Sequence, residues 1–191
     1  MWIKPFVPFY FQTFSYLCLI ETLIPYSETD LTLIACLALE KEEENDRFRV
    51  FLLTFDTESI DKWVFKLNEA ISAVIDCTQC GNCCKSLMIN ISEEEANRLS
   101  DHLLQSRKDF DKQYVEKGNH GMMLMNQMPC HFLQNNKCTV YEHRFEGCRE
   151  FPAMHLPDFQ KRLFTTFMHY GRCPIIFNVL EQLKEVLLFQ R

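Results

Sequence analysis

Cys77-Thr78-Gln79-Cys80-Gly81-Asn82-Cys83-Cys84 places four thiols within eight residues, and this stretch decides how the rest of the chain is organised. Three of the thiols have C-x2-C-x2-C spacing, which allows a tight loop to bind one soft metal centre. Gly81 adopts a positive φ at little cost, so the backbone can turn there. Neighbouring side chains point in different directions, so we do not expect Cys83 and Cys84 to bind the same ion. The stretch therefore predicts a polynuclear or two-site centre.

Composition and charge limit the functions that this chain can have. Its 191 residues are enough for one ordinary domain with a buried core. The net charge is −6 and the Lys and Arg residues are scattered, so we expect no nucleic-acid surface. Eight of the ten cysteines lie from Cys77 onward, and no convincing signal peptide precedes them. We expect a cytoplasmic protein with metal-bound thiols; a disulfide-stapled domain outside the cytoplasm is the alternative.

Residues 1–76 are predicted to form an α+β extension made of a hairpin and a helix. Leu31–Leu39 and Phe48–Phe55 are apolar runs that favour strands, and the charged segment Glu40–Asp46 between them predicts a solvated hairpin loop. Apolar residues then recur at helical spacing, which predicts a helix from about Glu58 to Ile75. This helix leads directly into Cys77.

Three further features of the N-terminal part can be predicted from the sequence. Asp56 or Thr57 is a candidate N-cap for the predicted helix. The apolar stretch Pro5–Ile24 is interrupted by proline and polar residues, so we expect a buried or interface element there rather than a membrane span. Cys18 and Cys36 lie in apolar runs and are expected to be small core residues.

Residues 77–191 are predicted to form the cysteine-cluster domain. Ser92 and Glu95 have the spacing of a capping box, which predicts a helix start. An Asn-rich tip between Cys130 and Cys138 predicts a hairpin that brings these two thiols together. Cys173 precedes a proline and an amphipathic helix, so we expect its thiol at a helix N-terminus, where the positive end of the dipole favours the thiolate.

The spacing of the cysteines makes eight of them candidate metal ligands. They are Cys77, Cys80, Cys83, Cys84, Cys130, Cys138, Cys148 and Cys173. A three-thiol loop with a distant Cys-Pro favours a 4Fe-4S iron-sulfur cluster, and Zn²⁺ is the alternative. His131 or His143 would be an alternative ligand at one position. Arg144 and Arg149 are candidate cofactor-binding residues that donate hydrogen bonds to cluster sulfurs; surface ion pairs with nearby glutamates are the competing interpretation.

The cysteine pattern resembles the CxxCxxCC cysteine-cluster family, also called the YkgJ family. The resemblance covers residues 77–174 and includes Cys77-x2-Cys80-Gly81-x-Cys83-Cys84, Cys130-x-Phe132-Leu133, Cys138-Thr139-Val140-Tyr141-x2-Arg144, Cys148-Arg149-x-Phe151-Pro152 and Cys173-Pro174. It implies a putative zinc- or iron-chelating domain, often labelled an iron-sulfur protein. Phe145 stands where the family usually has a proline, which loosens a turn and leaves the candidate ligands in place.

These observations lead to one fold and three functional hypotheses. The fold is expected to be α+β, a small irregular metal-stapled domain with short β-hairpins and three main helices. The first hypothesis is a metal-binding protein with a structural or electron-transfer role. The second is a redox enzyme or a protein lysine N-methyltransferase dependent on S-adenosylmethionine, because some longer relatives in the family are flagellin lysine N-methylases. The third is the disulfide-stapled domain. The sequence specifies no protein partner.

Overall fold

The computed structural model describes residues 27–190 of the chain. The apolar stretch Pro5–Ile24, with its Cys18, lies outside the described residues. Within residues 27–190, none of the helices combines the length and the apolar character needed to cross a membrane. The architecture is α+β, as predicted: helices predominate, and two small antiparallel sheets accompany them.

The predicted N-terminal hairpin is wrong, because both of its strands are helices. Helix α1 spans Leu31–Glu40 and α2 spans Glu42–Leu52, and only Lys41 separates them. Asp30 caps α1 by accepting hydrogen bonds from the backbone N–H groups of Thr32 and Leu33. The charged segment Glu40–Asp46 is therefore no solvated loop. It supplies the acidic first turn of α2, where carboxylates interact favourably with the helix dipole.

The helix predicted from about Glu58 is confirmed as α3, which spans Thr57–Ser72. Asp56 is its N-cap and accepts a hydrogen bond from the backbone N–H of Ser59 at 2.9 Å. Its buried face has the spacing expected of an amphipathic helix, with Ile60, Val64, Leu67 and Ile71 inside.

The cysteine stretch folds as two short helices, α4 (Cys77–Cys80) and α5 (Asn82–Ser86). Strand β1 (Asn90–Ile91), helix α6 (Glu93–His102), helix α7 (Arg107–Tyr114) and strands β2 (Val115–Lys117) and β3 (Met123–Met125) follow. β3 lies in the centre of the three-stranded sheet and pairs antiparallel with both β1 and β2. The predicted capping box is present at the start of α6.

The last part of the described chain contains a hairpin and three further helices. Strands β4 (Leu133–Gln134) and β5 (Lys137–Cys138) form the predicted hairpin, with Leu133 opposite Cys138. Helices α8 (Glu146–Glu150), α9 (Leu163–Met168) and α10 (Pro174–Val186) follow, with short 3-10 turns between the elements. Pro174 occupies the first turn of α10, as the sequence predicts.

The buried side chains form two hydrophobic cores. The first joins α1, α2 and α3 to α10 and includes Ile34, Phe48, Leu52, Ile60, Val64, Leu67, Phe159, Tyr170, Ile176, Val179 and Leu180. The second lies between the three-stranded sheet, α6, α7 and the hairpin, and includes Ile91, Ala96, Leu99, Phe110, Tyr114, Met123, Phe132, Val140 and Phe145. The C-terminal helix thus packs mainly against the N-terminal α3. A domain boundary at residue 76 stays a prediction.

Candidate metal centre

The cysteine stretch turns at Gly81, as the sequence predicts. Gly81 has φ 57° and ψ 10°, the left-handed conformation that glycine adopts without a Cβ clash, and it joins α4 to α5. Asp76 caps α4 by accepting a hydrogen bond from the backbone N–H of Thr78 at 2.8 Å. The two short helices therefore fold back at Gly81, and all four of the stretch's thiols line one cavity.

The β4–β5 hairpin lies directly against this turn. Its tip residues Asn135 and Asn136 have φ values of 49° and 63°, as expected for an Asn-rich tip. The Asn136 side chain donates a hydrogen bond to the carbonyl of Gln79 at 3.1 Å. At the other end of the stretch, the backbone N–H of Cys130 donates to the carbonyl of Cys84 at 2.8 Å. These two bonds hold the tip of the hairpin and the residue Cys130 that leads into it against the cysteine stretch.

Cys148 and Cys173 reach the same cavity from two separate helices. Cys148 lies in the middle of α8 and is half-buried. Cys173 is the N-cap residue of α10 and is buried, as the Cys-Pro sequence predicts. The Asn82 side chain donates a hydrogen bond to the carbonyl of Arg172 at 2.8 Å, which ties the residue before Cys173 to α5.

All eight candidate cysteines line one cavity of about 280 Å³. The other lining side chains are mostly apolar, among them Ile75, Ile89, Phe132, Val140, Phe145 and Ile175. The structure thus brings together thiols that are separated by up to 96 residues in sequence, from Cys77 to Cys173. Their assignment as metal ligands stays a prediction.

The thiols lie on the walls of this cavity. Within residues 27–190, no three His, Cys, Asp or Glu side chains are grouped so that they could hold one metal ion as they stand. The Sγ atoms of Cys83 and Cys84 are 3.9 Å apart. None of the nine cysteines in the described part of the chain forms a disulfide. The donor set nevertheless fits zinc or an iron-sulfur cluster, because soft thiolates are the ligands that both prefer.

Burial strongly disfavours the thiolate form of several cysteines. It raises the pKa of Cys148 and of Cys173 to about 12 in each case, and the neighbouring thiols add to the effect. Cys84 differs from them, because its contact with the Cys83 thiol lowers the pKa of Cys84 to about 7. The same contact raises the pKa of Cys83.

Three arginines also line the cavity: the predicted Arg144 and Arg149, and Arg172, which the sequence reasoning missed. The Arg144 guanidinium lies 3.8 Å from the centre of the Tyr141 ring and donates to the Tyr141 carbonyl at 2.6 Å. The positive charge of these arginines offsets the negative charge that thiolates in the cavity would bring. The one sequence signal for Arg172 is its position directly before Cys173.

The remaining candidates lie elsewhere. His131 bonds to the Asn126 side chain at 2.8 Å, and His143 stacks on His102 with ring centres 3.7 Å apart. Neither belongs to the set of described residues that line the cavity. Cys36 was expected in the core, but it is exposed on α1 and its thiol contacts Glu40 at 3.7 Å.

Comparison with known proteins gives one finding. Residues 76–171 match the model of the CxxCxxCC family, which is described as a putative zinc- or iron-chelating domain. A comparison with curated proteins and one with solved structures gave no match.

Proposed function

We propose, from the premise that the chain belongs to the CxxCxxCC family of zinc- or iron-chelating domains, that the eight cavity thiols are the ligands of a structural iron-sulfur centre. One observation carries the proposal: cysteines from four separate parts of the chain line the same cavity. Cysteines that only fill space in a hydrophobic core need not line the same cavity. When bound, the metal would supply the positive charge that keeps such thiols deprotonated.

The size of the cavity favours an iron-sulfur cluster over a single zinc ion. Four thiolate sulfurs at roughly 2.3 Å from a zinc ion enclose it and leave no free volume. A cavity of about 280 Å³ with thiols on its walls has room for a polynuclear group. Its lining is mostly apolar, and partial burial of this kind is one of the features that set the properties of a cluster.

The position of the cavity supports a structural role. Cys173 belongs to the first hydrophobic core, whereas Cys130, Cys138 and Cys148 pack against the second. Metal bound between these thiols and those of the cysteine stretch would tie the stretch to both cores. Metal binding of this kind contributes its free energy to folding, because the unfolded chain has no assembled site.

An electron-transfer role is the second candidate, and the exposure of Cys77 favours it. Cys77 is exposed, whereas Cys173, on the same cavity, is buried. A cluster held by both residues would have one edge close to solvent, where a redox partner can approach.

Metal analysis of protein purified without air tests the proposed function. We expect iron and acid-labile sulfide bound to the chain and a broad visible absorption that bleaches on reduction if the cluster carries electrons. The Cys148→Ser/Cys173→Ser double variant should bind much less metal, whereas Cys36→Ser, outside the cavity, should match the wild type. A colourless protein with zinc alone would contradict the iron-sulfur assignment. A metal-free protein whose thiols all react freely would contradict the proposed function as a whole.

A further inference from the structure

The adjacent residues Cys83 and Cys84 belong to neither of the two hydrophobic cores. Cys173 is 7 % exposed within the first core, at the start of α10. Cys130, Cys138 and Cys148 all pack against the second core. Of the four thiols outside the cysteine stretch, one therefore lies in the first core and three pack against the second.

Backbone contacts assign Cys84 to the second core. The Cys130 N–H donates to the Cys84 carbonyl at 2.8 Å, so these two residues are held side by side. Cys138 lies opposite Leu133 in the hairpin, and the Leu133 N–H donates to the Cys130 carbonyl at 3.0 Å. The hairpin thus fixes two thiols beside Cys84, and α8 adds Cys148 from the same core.

A different contact joins the middle of the stretch to the first core. Asn82, between Gly81 and Cys83, bonds through its side chain to the carbonyl of Arg172. This bond joins the segment before Cys83 to the segment before Cys173. Ile75, two residues before Cys77, is buried in the first core together with Cys173, although the hairpin tip also bonds to the carbonyl of Gln79.

The two groups of thiols meet at adjacent residues of the stretch. The Sγ atoms of Cys83 and Cys84 are in contact at 3.9 Å.

We infer that the cavity holds two metal centres, one on Cys77, Cys80, Cys83 and Cys173 and the other on Cys84, Cys130, Cys138 and Cys148. The inference rests on the proposed function and assigns its eight ligands. Each group supplies four thiolates, the donor set of a closed zinc site or of one iron-sulfur cluster. The adjacent Cys83 and Cys84 belong to different centres, which agrees with the different directions of neighbouring side chains.

Partial metal removal from the wild-type protein tests this assignment without any variant. The metal-loaded chain is treated with limiting chelator, alkylated with iodoacetamide under native conditions and analysed by native mass spectrometry. We expect a species that has lost half of its metal, and peptide mapping of that species should place the four newly alkylated thiols in one of the two groups. A half-loaded species with alkylated thiols drawn from both groups would overturn the assignment. So would loss of all metal in a single step.

Serine variants give an independent readout of metal per chain. Cys173→Ser and Cys148→Ser should each lose half of the metal, and Cys80→Ser/Cys173→Ser, within one group, should lose no more than Cys173→Ser does. Cys148→Ser/Cys173→Ser, across the groups, should lose nearly all of it. If each single variant loses all of its metal while far-ultraviolet circular dichroism shows an intact fold, one shared centre replaces two. That outcome leaves the proposed function standing, whereas a wild-type chain without metal contradicts both.

Discussion

The carboxylate of Glu95 accepts a hydrogen bond from the backbone N–H of Glu146 at 2.6 Å, across 51 residues of sequence. Its other oxygen accepts from the backbone N–H of Ser92 at 2.9 Å, which completes the capping box of α6. Because Glu146 begins α8, the buried Glu95 side chain joins the start of one helix to the start of the helix that carries Cys148. A residue predicted only as a helix cap therefore also positions a candidate ligand.

Replacing Glu95 with Gln is expected to destabilise the fold. The amide keeps only one acceptor oxygen, so one of the two backbone N–H groups loses its partner, at a cost of about 1.5–3 kcal/mol for a bond to a charged group. Chemical denaturation of the two proteins in the presence of chelator measures the difference. Glu94→Gln is the matched control, because Glu94 is exposed in the same helical turn. Equal effects of the two substitutions would contradict the role assigned to Glu95.

The effect of Glu95 should also depend on pH. Burial alone would raise the pKa of this carboxyl, but the backbone N–H groups of Glu146 and Ser92 outweigh it and hold the pKa below the ordinary value of 4.5. The stabilisation is therefore complete above about pH 4.5 and is lost as the pH falls through the lower pKa of the folded state. The difference in unfolding free energy between wild type and Glu95→Gln should shrink over that acidic range. A difference that stays constant there would show that the charge is not involved.

Substitution of Gly81 by alanine should disturb the candidate metal centre, whereas substitution of Gly121 should not. Both glycines have positive φ, so a Cβ costs roughly 1–2 kcal/mol at either position. At Gly81 the new Cβ would also lie 3.0 Å from Cβ and 3.1 Å from Cα of Asn136, whereas at Gly121 it would meet nothing within 4 Å. The hairpin must therefore move away from the cysteine stretch only in Gly81→Ala.

Stability and metal content together check this prediction. Gly81→Ala should be less stable than Gly121→Ala and should also retain less metal per chain. Loss of metal in both variants, or in neither, would show that the approach of Asn136 to Gly81 does not hold the site together.

Local signals in the sequence predicted the helix starts that the structure confirms. Asp56, the Ser92 capping box and Pro174 each act within one helical turn, so their effect on the backbone can be deduced without knowing the tertiary fold. The tip of the β4–β5 hairpin was predicted for the same reason, because Asn tolerates positive φ wherever it occurs.

The first two helices were missed because Leu31–Leu39 is apolar on all sides, and a short run of that kind has no period that separates a strand from a helix. Two local signals were available: Asp30 as an N-cap, and three glutamates at the start of α2. The burial of Asn45 was beyond local reasoning, since it depends on Lys184, 139 residues away.

The candidate site was predictable in its members but not in its arrangement. Spacing and residue type identified all eight thiols that line the cavity. Their division between two cores depends on long-range contacts, such as the bond from Asn82 to Arg172 across 90 residues, for which no sequence spacing gives a signal.

Lys184 is expected to be essential for the packing of α10 on α2. Its side chain is 0 % exposed, and its Nζ donates to the side chains of Glu44, Asn45 and Glu181, each at 2.7 Å. Lys184→Met leaves buried carboxylates without this cation, which costs about 3–5 kcal/mol when one partner of a buried pair is removed. Thermal and chemical denaturation measure the loss. Lys62→Met is the control, because the Lys62–Glu58 pair is exposed and should change nothing measurable.

If the proposed function holds, the charge of Arg144 should set the pH at which metal bound by Cys138 and Cys148 is released. Burial raises the pKa of both thiols, and the Arg144 guanidinium opposes this effect. In Arg144→Gln the opposition is lost, so the thiol pKa values rise further and protons compete with the metal at higher pH. The midpoint of metal release in a chelator titration against pH should therefore move upward. Arg144→Lys retains the charge without the flat stacking on Tyr141, so it should restore most of the wild-type midpoint. If Gln and Lys shift the midpoint equally, the ring contact rather than the charge of Arg144 supports the site.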